Sequence, residues 1–173
     1  MKPNVYVAEC ELGKGLFAAK DFKKGEYILT FEGTLISFEQ TAKGEYEGNP
    51  LQIDYNAYID LQDPCRSANH SCSPNSGIIK SNVLIAIKDI FKDEEIRFDY
   101  STTMSENNWT MVCRCGSKKC RGIIKDFHLL PKDVQKQYLK LGIVQEFIVR
   151  EIGQMSKASK QGGLRPSKIL AKT

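Results

Sequence analysis

Cys113, Cys115 and Cys120 stand in a C-x-C-x4-C run, CRCGSKKC, rich in glycine and lysine, whose close spacing lets the chain wrap around one ion. Thiolates so spaced suit zinc, and a structural zinc takes four tetrahedral ligands, so the run needs a fourth donor from elsewhere. A second chemistry-bearing stretch, Arg66 to Asn75 (RSANHSCSPN), combines the Asn69-His70 pair with Cys72 and a proline turn. A lone histidine is more often a hydrogen-bonded structural residue than a working one, and His70 need not titrate in order to bind a ligand. EIRFDY, Glu95 to Tyr100, ends on a phenol that, taken alone, reads as a core aromatic closing a strand. Gly13-Lys14-Gly15 is a turn that many folds use for backbone reasons only. Cys10 and Cys65 lie outside any ligand spacing and read as small hydrophobes.

The elements that must position these groups are short. Asn4 to Glu9 alternates apolar and polar residues, Glu26 to Phe31 is apolar and aromatic, and Val83 to Lys88 is a β-branched run. Turn residues punctuate the chain around them: Gly13 and Gly15, Lys24-Gly25, Glu32-Gly33, Asp63-Pro64 and Asn75-Ser76-Gly77. One short helix is expected over Phe38 to Tyr46, where Ser37 and Gln40 make a capping box. Beyond Pro131 the period changes to that of a helix, with Val134, Tyr138 and Leu141 on one face and Gly142 as the stop. A second amphipathic stretch carries Val144, Phe147, Ile148 and Ile152 and is expected to end at Gly153. The fold class is therefore mainly β within an α+β chain, with the late helices packed on the domain or, alternatively, forming a homodimer contact.

Composition excludes several classes. The chain has 173 residues, 41% of them hydrophobic, which argues against wholesale disorder. No apolar run is long enough to cross a membrane, and the first ten residues lack the apolar stretch of a secretory signal, so no membrane partner and a reducing compartment are expected. A reducing compartment favours metal ligation over disulfides. The formal charge of +4 is concentrated: from Gly153 to Thr173 there are five basic residues and no acidic one, leaving 20 basic against 21 acidic in the body. Direct nucleic-acid binding, which needs a dense basic face, is disfavoured.

Taken together, GKGLFAAKDFKKGEYI (Gly13 to Ile28), RSANHSCSPN, EIRFDY and CRCGSKKCRG resemble, in order and approximate spacing, the SET family of protein-lysine methyltransferases with its zinc-binding post-SET segment. The resemblance spans about Val5 to Gly122. It implies a β-fold of short strands with a knot-like last segment, S-adenosylmethionine as methyl donor, and a protein substrate presenting a lysine. It also implies roles for particular residues. The backbone of Lys14 and Gly15 and the pair Asn69 and His70 would hold the cofactor, and Tyr100 would be the active-site tyrosine. Cys72 would join Cys113, Cys115 and Cys120 around one structural Zn2+. Phe98 matches the family's Phe/Tyr switch and Phe31 a position where many relatives carry tyrosine, which implies a substrate channel roomy enough for di- or trimethylation.

Departures accompany the matches. Pro50-Leu51-Gln52-Ile53 replaces a stretch where many relatives place a cofactor-contacting tyrosine, so that contact has no counterpart. Asp93 and Arg97 replace a more usual glycine and threonine. The domain reading is 1–101 for the SET domain, 102–124 for the post-SET zinc segment, 125–152 for a helical extension and 153–173 for a basic, flexible tail. The rival reading is a catalytically silent SET-fold module that keeps its zinc to bind a protein. Histone tails, histone-like proteins and ribosomal proteins all present lysines. Localisation follows the source: cytoplasmic if microbial, otherwise nuclear, chromatin-associated or delivered to a host.

Overall fold

The computed structural model describes residues 3–107 and 109–160, the last five by backbone only. Twelve short strands and two substantial helices follow one another. The opening hairpin pairs β1 (Val5–Cys10) with β2 (Gly13–Ala18), antiparallel, with Cys10 opposite Gly13. Gly13 sits at φ 99°, a left-handed value that glycine adopts without steric cost. Next come β3 (Tyr27–Thr30), β4 (Gly33–Ile36) and α1 (Phe38–Ala42), which is shorter than its sequence pattern suggested. Its capping box is present as read, with Ser37 Oγ accepting from Gln40 N and Gln40 Oε1 accepting from Ser37 N.

β5 (Pro50–Asp54) and β6 (Ala57–Leu61) form a hairpin, and β4 adds to it in the order β4-β6-β5. β7 (Asn69–His70), β8 (Ser76–Ile79) and β9 (Val83–Ala86) follow, and a second sheet runs β3-β9-β8. β10 (Arg97–Phe98) returns to lie parallel to β7, with Arg97 opposite Asn69 and Phe98 opposite His70. The same returning segment reaches β2: Ala18 N donates to Glu94 O and Ile96 N to Leu16 O. Two motifs far apart in sequence thus share one ladder. β11 (Met111–Val112) and β12 (Ile123–Ile124) bracket the cysteine run.

The main core gathers Leu16, Phe22, Ile28, Phe31, Ile78, Leu84, Ile90 and Ile96, each 1% exposed or less. Burying each such side chain stabilises the fold by roughly 1.5–3 kcal/mol. A second cluster belongs to α2 (Lys132–Leu141) and α3 (Glu146–Lys160), with Phe127, Tyr138, Ile143, Phe147 and Ile148 buried. Gly142 ends α2 at φ 68°, as its position predicts. These helices pack on the domain: a Cβ at Gly77 would stand 2.5 Å from Ile143 Cγ2, so that glycine is what lets the helical unit approach β8. The expected stop at Gly153 is not where α3 ends. The helix continues to Lys160, because one exposed glycine in a helix costs only about 1 kcal/mol and nothing crowds it. Residues 161–173, the rest of the basic tail, lie outside the described residues.

Candidate active site

Parallel pairing of β7 with β10 sets the site. Ser71 N donates to Phe98 O at 3.0 Å, Arg97 N donates to Asn75 Oδ1 at 2.8 Å, and Asn75 Nδ2 donates to Glu95 O at 2.8 Å. Asn75, the last residue of RSANHSCSPN, is therefore the clasp between the two motifs. Just past β10 the chain turns into a short 3-10 helix, Tyr100–Thr103, capped by Asp99, whose carboxylate accepts from Ser101 N.

Tyr100 projects between three rings or chains. Its ring lies 4.9 Å from Phe98 and 5.3 Å, edge-on, from His70, and its hydroxyl donates to Ala68 O at 2.9 Å. Burial, helped by the negative charge of Glu95, pushes the phenol well above its ordinary range. The hydroxyl therefore stays protonated; with its proton committed to Ala68 O, it offers lone pairs to whatever enters beside it.

His70 is 4% exposed. Burial pushes its pKa down to about 4, against the pull of Asp99. Its ring is neutral: Nδ1 accepts from Tyr100 N at 3.2 Å, which leaves the proton on Nε2, 3.3 Å from Cys72 Sγ. A histidine so engaged orients Tyr100 and supports a sulfur, and is not free to act as a base.

Asn69 shows how the glycine turn joins the site. Its Nδ2 donates to Lys14 O and to Glu95 Oε1, both at 2.9 Å, with Cys10 Sγ at 3.5 Å. Glu95 also pairs with Arg97. A Cβ at Gly15 would stand 2.8 Å from Glu95 Oε1, so the glycine leaves room for this carboxylate. Cys10, read as a plain hydrophobe, is a weak acceptor at this junction.

A cavity of about 820 Å³ opens onto these groups; Leu12, Asn69, His70, Phe98, Tyr100 and Cys115 lie on its wall. That volume lies within the ordinary range for small-molecule sites. Lys14, Gly15 and Phe31 are not on the wall. Gly15 is buried and Lys14 exposed at the rim of the hairpin, and Phe31 is fully buried with its ring 5.6 Å behind Phe98. Phe31 thus fixes Phe98 from the rear and does not itself face the cavity. Tyr58, Glu106 and Trp109, which sequence reading did not single out, face the cavity too, and Tyr58 donates to Glu106. Glu106 is pushed up by burial and by the charge of Asp126. No spacing signal marks them, because β6 and the turn after Thr103 meet only in the fold.

The sulfur cluster adjoins the same wall. His70, Cys72, Cys113 and Cys115 bring their ligand atoms within 4.8 Å of one another. The Cys72 and Cys113 sulfurs are 3.7 Å apart, close to the edge of about 3.8 Å that a tetrahedron with Zn–S of about 2.3 Å requires. Backbone N–H groups aim at the sulfurs: Arg121 N at Cys72, Cys72 N at Cys115, and Gly122 N at Cys120. Burial raises the Cys113 thiol, while at Cys115 burial is outweighed by donors from Cys72 and Ser117 and by the neighbouring thiols, which bring it down to about 7. Cys120 is exposed, its sulfur 3.8 Å from Cys113 O, at the open side of the cluster. A donor set of thiols with N–H support fits zinc. Among the described residues the clustered ligand atoms are those of His70, Cys72, Cys113 and Cys115; Cys120, expected as a ligand, stands outside that group, and His70 stands in it.

Residues 13–101 match the SET domain, over half the chain. The chain belongs to the SET domain family. Among curated relatives, it is 32% identical to the histone-lysine N-methyltransferase trithorax of Drosophila virilis over 126 residues, 63% of this chain and 3% of that protein. It is 30% identical to human histone-lysine N-methyltransferase 2D over 141 residues, 69% of this chain and 2% of that one. The chain therefore spans only a few per cent of the length of these relatives. The methyltransferase domain of human histone-lysine N-methyltransferase SETMAR shares the fold, with a TM-score of 0.58 at 20% identity, over 73% of this chain and 59% of that domain.

Proposed function

We propose that this chain transfers methyl groups from S-adenosylmethionine to the side-chain amine of lysine in a protein substrate, with histones or histone-like proteins as the first candidates. The observation that carries the reading is the convergence of Asn69, His70, Phe98 and Tyr100 on one cavity wall. S-adenosylmethionine supplies a methyl group on a cationic sulfur. Transfer to an amine is an in-line displacement, so holding donor and acceptor in line supplies much of the acceleration.

The residues have separable parts in this. Asn69 and His70, with the peptide groups of Lys14 and Gly15 behind them, form the cofactor side. Free lysine has a pKa of about 10.4, and an apolar wall of Phe98 and Tyr100 disfavours its ammonium form. Tyr100, protonated and already donating to Ala68 O, accepts a hydrogen bond from the entering amine and so points its lone pair. Phe98 brings no hydroxyl to the channel, which favours accommodation of methylated amines and hence di- or trimethylation. Cys72, Cys113, Cys115 and Cys120 would hold one structural zinc, which ties the segment 102–124 to the wall.

Incubation with labelled S-adenosylmethionine and a mixed histone preparation, followed by mass analysis of lysines, tests the reading. Methyl-lysine in amounts that grow with enzyme and time is expected. Cofactor bound without any methyl transfer to histones or to a whole proteome would favour the silent module instead.

A further inference from the structure

The helical unit after residue 126 lies beyond the stretch that matches the family, and the chemistry above does not call on it. Its polar contacts nevertheless concentrate on the turn that carries Tyr100. On α2, Tyr138 is 3% exposed and donates its hydroxyl to Asp99 Oδ2 at 2.9 Å. Asp99 immediately precedes Tyr100. Arg121, the residue after Cys120, grips the same carboxylate with both terminal nitrogens at 2.8 Å. From the other side, Gln145 at the α2–α3 junction donates its backbone N–H to Thr102 O at 3.0 Å. Its buried side chain donates to Gln52 O at 3.1 Å and to Ser81 O at 2.8 Å. Gln52 is itself on the cavity wall.

Apolar contacts alone could hold these helices to the domain, and Ile143, Phe147 and Ile148 supply them. Burying a carboxylate, a phenol and an amide there is costly unless each is paired, and pairing fixes direction in a way that apolar contact does not. The directions fixed here are those of Asp99 and Thr102, the two residues that bracket Tyr100 and Ser101.

We propose that Tyr138 and Gln145 are positioning residues for methyl transfer: acting through Asp99 and Thr102, they set where the Tyr100 hydroxyl stands on the cavity wall. The C-terminal helical unit then belongs to the working site. This rests on the methyl-transfer reading for its effect on rate, and on geometry alone for its effect on the turn.

Tyr138→Phe keeps the ring and removes the donor; Gln145→Ala keeps the backbone bond to Thr102 O but removes the side-chain bonds to Gln52 O and Ser81 O that hold this N–H in place at the other end of the turn. Hydrogen exchange at Ser101 to Thr103, measured on the full chain without any acceptor, should speed up about tenfold in each variant, with β8 and β9 unchanged. With labelled S-adenosylmethionine and histones at saturation, kcat should fall about tenfold while the KM for cofactor moves less than about twofold, and products should shift toward monomethyl-lysine. A mere loss of folded molecules lowers the rate without moving that product ratio. Exchange, kcat and product ratio all equal to wild type in both variants would overturn the positioning role, as would faster exchange with unchanged kinetics. Absence of transfer by the wild-type protein would instead sink the methyl-transfer reading itself.

Discussion

At the scale of single residues, the proposed chemistry concentrates on Tyr100. Tyr100→Phe removes one hydroxyl and leaves the rings of Phe98 and His70 in contact, so folding and cofactor affinity should persist. Turnover should fall by about 100-fold, the usual loss when one preorganised polar contact to a reacting centre is removed. Single-turnover rates beside calorimetry of cofactor binding check both halves. Phe98→Tyr should leave the first methyl transfer nearly intact and suppress later ones; time courses resolved by mass would reveal accumulation of monomethyl-lysine. His70 gives a pH signature. Its folded pKa of about 4 lies below the unfolded 6.5, so the folded state resists protonation. The stability this neutral ring contributes is complete above pH 6.5 and is lost as pH falls toward 4, by roughly 3 kcal/mol in all. Denaturation across that window should show a shallower decline in His70→Asn than in wild type.

Elements decide how much of this could be read in advance. Local signals were legible because they are local: the capping box at Ser37 and the glycine stop at Gly142 each lie within one turn. Phe31, just past β3, kept its neighbourhood but not its place on the wall, because Phe98, from a strand far along the chain, stands against it. Gly153 misled for a related reason, since a helix continues through one glycine when its flanks pack or propagate. The Asn69 bridge to Lys14 and Glu95, and the pairing of Tyr138 with Asp99, join residues whose separation has no sequence period. At Gly77 the consequence is testable: Gly77→Ala pushes a methyl group against Ile143, with a cost of about 1–3 kcal/mol expected in chemical denaturation. An unchanged midpoint would mean that the helical unit does not bear on β8.

For the molecule as a whole, the sulfur cluster joins pieces that would otherwise be loosely connected. Cys72 belongs to the Asn-His motif, the other thiols to the segment between β11 and β12, and Arg121 within that segment reaches Asp99. The binding energy of the proposed zinc would therefore also be folding energy. One zinc per chain is expected by metal analysis, retained in Cys10→Ser and lost in Cys72→Ser. Chelation should lower the thermal midpoint by about 10 °C, a scale that corresponds to several kcal/mol for a chain this long, and should reduce methyl transfer in parallel. If Cys10→Ser lost the metal, the ligand set would have to be redrawn.

The pairing of the first hairpin with the segment at Glu94 to Ile96 carries a consequence for the birth of the protein. On a ribosome, residues are delivered from the N-terminus, and β1 and β2 leave the exit tunnel long before the partners that complete them. Leu16 and Ala18 wait for Ile96 and Glu94, Asn69 waits for Glu95, and Asp99 waits for Tyr138. A nascent chain stopped short of α2 would hold an unfinished site with its apolar strands uncovered. Such long-range pairing folds slowly, and arrested nascent chains should become resistant to protease only after the length that frees Gln145 has emerged.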